Sequence, residues 1–477
     1  MGNGGSQNVN LVVSKIAFGG SAGNVFHILD KVQFSVPLVP YIQKLTGIVG
    51  GIVGGSNSTA PAFSINKLDV SAPGANDLSV AVGASIGGIG SKISVEMPYI
   101  GLKISAGGAG FVYPTINNFQ LSNGNIDLTL DLPFQPAAKQ IIASLSIPVS
   151  QLLFSTVGQV PGTIVVNSIE FGASPSQAFD IAAKIGLEIQ LNSVFQKAQA
   201  YINAHSSLQV DDINTVLTTT GIQATVSVSG ASLAVPLKMN FPISLSGYYQ
   251  GKAFITIQVT SMSLGQSPWA LGASITPVQS EFSQALNGIL SNSLQSKNAL
   301  KDVTVGGVIL GSFTVLSGLI ITPPESALSL MSPITVPLNQ LKLHLIPLGM
   351  DFAASLVNRS PLQVDVGAVD IMIKDGTTDV MEIQNLGGPI HLNNVHQNGG
   401  NNMILFNASL KFNILQLIPI IASLLNPVNF HFVFSMKTSS GQPMPWLQDA
   451  LNDVPDTIFS NILPILANAL KNINFSI

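Results

Sequence analysis

The sequence predicts a mainly β protein: tandem antiparallel β-sandwich-like repeats with a few capping helices. Three observations carry this: short stretches of alternating apolar and polar residues, Gly/Ser/Pro/Asn turns between them, and a strand–turn–strand segment that recurs. Residues 12–28 (VVSKIAFGGSAGNVFHI) and 165–181 (VVNSIEFGASPSQAFDI) align without a gap, 153 residues apart (165 − 12). Val12/Val165, Val13/Val166, Ile16/Ile169, Phe18/Phe171, Gly19/Gly172, Ser21/Ser174, Phe26/Phe179 and Ile28/Ile181 are identical pairs. A third copy, with one deletion, reads from Val315 to Leu330 (VLSGLIITPPESALSL). Three repeats follow, at 1–164, 165–317 and 318–477.

Each copy reads as a hairpin: Ile16 and Phe18 on one strand, a Gly/Ser/Pro turn, then Val25 or Phe26, and Ile28, on the next. Weaker hairpins fall between the copies. Leu68–Val70 turns through Ala72-Pro73-Gly74 into residues 78–82, and residues 119–121 turn through Asn123-Gly124 into residues 126–130. Helical periodicity is confined to a few places. Residues 135–145 and 414–425 each follow an alternating strand. Residues 277–294 carry Val278, Phe282, Leu286, Ile289 and Leu290 at helical spacing, with Thr276 as the expected N-cap. Residues 446–470 carry Leu447, Leu451, Ile458, Ile462, Ile465, Leu466 and Leu470, interrupted by Pro455 and Pro464. Apart from Lys139, these helical segments lack Lys and Arg, so they are expected to close the core instead of lying on an anionic membrane.

Composition sets the surface chemistry. Hydrophobic residues make up 46% of the 477 and charged residues only 9%, against about a quarter in ordinary domains. Ser, Asn, Thr and Gln must therefore keep the surface wet. The net charge of −4, with 19 basic residues scattered singly, gives no basic stripe, which excludes counterion-driven nucleic-acid binding. A mean hydropathy of +0.45 calls for membrane spans, a large apolar cavity, or wide contact with a membrane or further copies. Residues 303–324 and 412–434 are long enough to span. The first is β-branched and broken by Gly306-Gly307, Gly311 and Gly318, and reads as two buried strands joined by a turn. The second is broken by Pro419, Pro427 and His431. Residues 1–14 show no apolar leader, so a cytoplasmic or membrane-peripheral place is expected. Met1-Gly2 and Ser6 fit the N-myristoylation pattern, with Gly2 as acceptor, although a plain flexible start fits as well. Cysteine is absent, which removes disulfides and thiolate metal sites.

No catalytic, cofactor or metal site emerges. G-x-S-x-G occurs around Ser21 and Ser85, but neither serine sits on the strand-to-helix elbow that a hydrolase requires. His391 and His396 lie in an Asn/Gly-rich stretch read as a solvated loop. Asp211-Asp212, Asp365/Asp370 and Asp375/Asp379 lack the graded oxygen spacing of a calcium loop. Gly47–Gly55 lacks the Lys of a phosphate-cradling loop.

Residues 356–367 (LVNRSPLQVDVG) resemble the late-embryogenesis-abundant type 2 (LEA-2) domain and its fungal relatives, in which a strand ends in an Asn-Pro-Ser-like turn before a Gly-containing strand. Arg359 stands at the family's Pro, and Pro361 comes two places later. Residues 368–376 are similar to the family's next hairpin, and the likeness covers about the last 200 residues. It implies a Greek-key-like β-sandwich with one helix per domain, membrane-adjacent or lipid-handling roles, and no enzymatic activity. In composition alone the chain is also similar to tubular lipid-binding proteins of the bactericidal/permeability-increasing type.

The functional expectation is non-enzymatic binding of lipid, an apolar ligand or a membrane surface. Phe34, Val36, Leu38, Val39 and Tyr41, with Ile458, Ile462, Ile465 and Leu466 of the C-terminal helix, would supply the contact. The alternative is a self-assembling structural protein that packs through its uncharged Asn/Ser/Gly surface, for which low net charge removes repulsion between copies.

Overall fold

The computed structural model describes residues 63–86, 94–122, 125–172, 174–180, 186–205, 209–229, 237–239, 242–263, 268–295, 303–310, 313–322, 342–345, 348–358, 361–411, 424, 430–459, 463–464 and 467, with the backbone of short strands at 10–13, 17–18, 26–27 and 34–37. The chain is mainly β, as the alternating pattern predicts.

Three large sheets repeat one strand order. In the first sheet, numbering its strands by sequence, the six are Phe63–Gly74, Asp77–Ile86, Ser94–Ala106, Thr115–Ser122, Asn125–Pro133 and Thr163–Gly172. Their spatial order is sixth, third, fourth, fifth, second, first. The second sheet repeats this with Gln209–Leu217, Ile222–Ser229, Ile243–Tyr249, Lys252–Ser263, Trp269–Pro277 and Val303–Leu310. The third does so with Lys342–Leu345, Leu348–Val357, Val369–Asp375, Thr378–Asn385, Asn401–Leu410 and Phe430–Met436. Neighbours among these strands are antiparallel throughout.

One further strand in the second and third modules leaves its own sheet. Leu237–Met239, between its module's second and third strands, pairs in parallel with the first strand of the first sheet. Leu362–Val366, at the same place in the third module, pairs in parallel with the first strand of the second sheet. Each of these modules thus donates a strand to the one before it.

The second and third copies of the recurring segment sit at the far edge of the first and second sheets, while the first copy forms a two-stranded sheet of its own. Phe18 pairs with Phe26 and Ala17 with His27, and 153 residues on Phe171 pairs with Phe179 and Glu170 with Asp180, in the same register. The third copy is out of step by one strand. Ile320–Ile321 is the second strand of its hairpin and pairs back onto Val305 and Gly306, while Val315–Gly318 forms a turn. The paired glycines of VTVGGVIL weaken the alternation of the true first strand, and the apolar run from Val315 takes its place in the alignment. Within the window at 303–324, Val303–Leu310 and Ile320–Ile321 are paired strands with a turn at 315–318, as read, although Ile320 is exposed and not buried.

Between the fifth and sixth strands the chain crosses the sheet through helices. The first module uses α1 (Ala138–Ser144) and α2 (Ser146–Phe154). Next comes α3 (Leu191–His205), which the sequence reading missed, and then the second module's crossing helix, α4 (Gln279–Gln295). Thr276 is not the cap of α4: it lies within the strand Trp269–Pro277, and Val278 precedes the helix. In the third crossing only Leu424 is described, and it is fully buried in the third sheet's core; the expected helix at 414–425 otherwise lies outside the described residues. The C-terminal helix is broken around Pro455, as expected, into α5 (Pro445–Asn452) and α6 (Asp456–Phe459).

Burial follows the strand period. Phe430, Phe432, Phe434 and Met436 point into the core while His431 and Val433 point out. Met350, Phe352, Ile373, Met381 and Ala408 meet them, joined by Phe459, Leu463 and Ala467 of the C-terminal segment. Each such aliphatic or aromatic side chain contributes about 1.5–3 kcal/mol relative to exposure. A second cluster links the modules: Leu217 and Val364 of the second sheet pack with Met436, Met444 and Trp446. The Trp446 indole N–H donates to the Thr218 carbonyl at 2.8 Å, and its ring meets Phe282 of α4 edge-on at 5.5 Å.

The outer edge of Phe430–Met436 is covered by side chains. Asn452 Oδ1 accepts from the Phe434 amide at 2.7 Å, and Asp456 Oδ1 accepts from the Phe432 amide at 2.9 Å. Asp456 also bonds His431 Nδ1. An edge strand is a template for association unless its amides are occupied. Replacing Asn452 with Ala removes one of these acceptors, and the loss is expected to lower stability by about 1–3 kcal/mol, read as a fall in the urea midpoint at unchanged slope.

Candidate functional site

The best-defined polar centre lies where the third module donates its strand to the second. Leu362–Val366 runs beside Gln209–Leu217 with Ile213 opposite Leu362 and Val216 opposite Asp365. Thr215 Oγ1 donates to the Gln363 carbonyl at 2.8 Å, and the Ile213 amide donates to the Pro361 carbonyl at 2.9 Å. On its other side Ile390–Leu392 adds antiparallel. The stretch read as a solvated loop therefore opens with a strand, and His391 belongs to it. Its Nδ1 bonds Asp365 Oδ1 at 2.7 Å across the pair.

Three buried asparagines hold this seam. Asn358 and Asn394 are completely buried and Asn402 nearly so. Asn358 Nδ2 donates to the carbonyls of Leu362 (2.5 Å) and Asn393 (3.1 Å). Asn394 Nδ2 donates to Asp212 Oδ1 (2.5 Å) and the Pro361 carbonyl (3.2 Å), and its Oδ1 accepts from the amides of His396 (3.0 Å) and Gln397 (3.1 Å). Asn402 Oδ1 accepts from the Asn393 amide at 2.6 Å, while its Nδ2 donates to the carbonyls of Asn393 (3.1 Å) and Gly400 (2.8 Å). A carboxamide suits the task because it satisfies donors and acceptors at once without burying a charge. Gly400 is required here: its φ is +73°, and a Cβ would stand 1.8 Å from the Asn358 carbonyl oxygen.

Beside this seam lies a hollow of about 380 Å³ lined by Ser355, Leu356, Val357, His391, Asn393, Asn398, Asn401, Asn402 and Met403. No Lys, Arg, Asp or Glu lines it. Asn393 and Asn402 are held by the bonds above. Met403, opposite Ser355 in the sheet register, is 59% exposed. The wall is thus rich in amides, and Val357 and Met403 supply an apolar strip.

A second polar group lies on the outer face of the third sheet. His344 Nε2 bonds Asp351 Oδ2 at 2.7 Å, Asn407 Nδ2 donates to Asp351 Oδ1 at 2.8 Å, and Ser409 Oγ donates to Asn407 Oδ1 at 3.0 Å. The hydrogen bond from Asn407, then that from His344, holds the Asp351 carboxyl below its ordinary value of 3.8.

Most of the residues singled out from sequence lie outside the described residues. Phe34 and Val36 lie on the backbone strand Phe34–Pro37, opposite Val13 and Leu11. Their side chains, together with Leu38, Val39, Tyr41, Ile462, Ile465, Leu466, Gly2 and Ser21, lie outside the described residues, as does the side chain of Ile458 on α6. The described part of the same C-terminal segment, Phe459, Leu463 and Ala467, faces the third sheet's core. Ser85 is a strand residue opposite Ser64 and Asn125, not an elbow. Among the described residues no three His, Asp or Glu side chains gather as metal ligands, and no helix is long and apolar enough to cross a membrane. Reasoning from sequence missed Asn358, Asn394 and Asn402, although the run Asn393–Asn402, with Gly399-Gly400 inside it, marked an unusual concentration of turn and amide chemistry.

No protein-family model and no curated protein matches the chain. Among solved structures, the N-terminal periplasmic domain of ScsB from Proteus mirabilis is 7% identical with a TM-score of 0.11, over 51% of this chain and 87% of that one. The Escherichia coli adhesin FdeC is 10% identical with a TM-score of 0.12, over 82% of this chain and 97% of that one. At these scores neither likeness bears on fold or function.

Two outcomes follow from the site. Asn394→Ala removes four hydrogen bonds at one buried position and is expected to cost about 1–3 kcal/mol or more, with faster amide exchange at His396 and Gln397. Asp351 is a lowered carboxyl, so its stabilising effect is complete above pH 3.8 and is lost as the pH falls below that through its folded value. Urea midpoints at about pH 6 and about pH 3 should therefore differ more for the native chain than for Asp351→Asn.

Proposed function

We propose that the chain is a non-enzymatic binding protein: a run of β modules whose ligand seats in the amide-walled hollow at the junction of the second and third sheets. The observation that carries this reading is the lining itself. Buried Asn358, Asn394 and Asn402 fix the seam at the hollow's side, and such a wall is organised before any ligand arrives. With no Lys, Arg, Asp or Glu in the lining and its one imidazole, His391, held by Asp365, the ligand is uncharged and hydrogen-bonding. That differs in chemistry from the lipid, apolar ligand or membrane surface expected from sequence. The resemblance of residues 356–367 to the LEA-2 domain agrees with this reading in implying no enzymatic activity, while the lipid-handling roles it implies belong with the second reading.

A second reading, contact with a membrane or another apolar partner, is favoured by α2. Ile147 and Leu153 on that helix are 71% and 54% exposed, and Ile320, whose amide donates to Ser146 Oγ, is 46% exposed.

Ligand-observed NMR on the full chain, with neutral monosaccharides and small peptide amides as probes, tests the first reading. At about −0.3 kcal/mol per heavy atom, a ligand of about a dozen atoms binds at roughly millimolar Kd. Saturation transfer that is lost in Met403→Trp, which fills the hollow from an exposed position, supports the hollow. Silence from both probe classes together with flotation on phosphatidylcholine vesicles transfers the case to the α2 surface.

A further inference from the structure

Sheets one and two close the edge of their first strand in the same way. Phe63–Gly74 carries Leu237–Met239, and Gln209–Leu217 carries Leu362–Val366, each donated in parallel from the following module. Both donors leave their module between its second and third strands. The third sheet has the same strand order, and its first strand, Lys342–Leu345, pairs on one side with Leu348–Val357. Among the described residues it carries no strand on its other side.

We propose that this edge of Lys342–Leu345 is a docking site for a second copy of this chain, which adds a strand in parallel as the second and third modules do within one copy. The inference goes beyond the ligand reading and does not rest on it.

The geometry inside one copy shows what the contact requires. An acceptor strand needs only three or four residues: Leu68–Val70 takes Leu237–Met239 over three, and Ile213–Val216 takes Leu362–Asp365 over four. Lys342–Leu345 offers four. Charged side chains on the acceptor do not forbid addition, since Lys67, Asp69, Asp211 and Asp212 lie on the acceptor strands of the first two sheets. In the first of these Lys238 of the donor lies opposite Asp69. Exposed Lys342 and His344 are compatible with a donor by the same logic. A parallel addition of this kind is heterologous, because donor and acceptor are different surfaces. Repeated between copies it makes a head-to-tail series, open where the rotation between copies does not close a ring. The net charge of −4 over 477 residues opposes it only weakly.

Sedimentation velocity of the full chain over a hundredfold concentration range tests the proposal. The native chain is expected to show a rising ladder of species. Lys342→Pro with His344→Pro, which removes backbone donors from the edge strand, is expected to collapse the ladder to monomer at unchanged far-ultraviolet circular dichroism. A native chain that stays monomeric throughout, or a folded double variant that assembles as before, overturns it. Should the double variant not fold, lysine cross-linking of mixed light and heavy native copies decides. Links between copies from Lys342 to first-module lysines such as Lys67 or Lys103 support the head-to-tail contact. Links from Lys342 to Lys342, or none between copies, overturn it.

Discussion

A six-stranded open sheet ends in two rows of backbone donors and acceptors that no strand of its own can satisfy, and such edges must be covered or they recruit other chains. In this protein a covering strand for two of the three sheets comes from the next module. The donated strands Leu237–Met239 and Leu362–Val366 turn consecutive units into an interlocked series, because a donor cannot leave without exposing its neighbour's edge. The amide seam, the cluster around Trp446 and the hollow are all built against the second of these donations. Of the asparagine contacts, the one from Asn394 to Asp212 crosses directly to the second module.

The scarcity of charge and the wealth of Asn, Ser and Thr have a structural expression at the seam. Two sheets that meet through backbone edges bring carbonyls and amides together in unequal numbers and unfavourable directions. A buried lysine or carboxylate in such a place would carry a large desolvation cost. A carboxamide presents both kinds of group on one rigid plane, so Asn394 can answer two amides with its oxygen while its nitrogen meets a carbonyl and Asp212. Gly400 completes the arrangement by letting its backbone approach Asn358. The ion pairs of the described surface, such as Lys374–Asp379 and Lys252–Glu281, both at 3.2 Å, are exposed and contribute little by comparison.

Much of the local structure was legible in the sequence, because it depends on period and turn chemistry. The hairpins at Phe18/Phe26 and Phe171/Phe179, the strand–turn–strand of 303–321, and the helices near residues 138, 279 and 445 all follow from alternation, helical spacing or Gly and Pro. The order of strands was not legible, since it is set by pairings between distant residues that leave no local trace. The strand Leu362–Val366 looks no different from its neighbours, yet it belongs to another module's sheet. The asparagines were misread for a related reason: amide-rich runs usually signal solvated loops, and only the meeting of two sheets buries them. Helix α3 was missed despite Val194, Phe195, Ala198 and Ile202 at helical spacing, in a segment whose frequent polar residues mask its apolar face. The hollow had no signature at all.

The side-chain cover on the last strand has a consequence for how the chain is made. Phe430–Met436 leaves the ribosome before Asn452 and Asp456 do, with Asp456 following Met436 by twenty positions (456 − 436). At about 5–20 residues per second, the outer amides of that strand wait roughly one to four seconds for the groups that will occupy them. During that interval the newest β surface of the nascent polypeptide is bare, and cotranslational chaperones would find their substrate there.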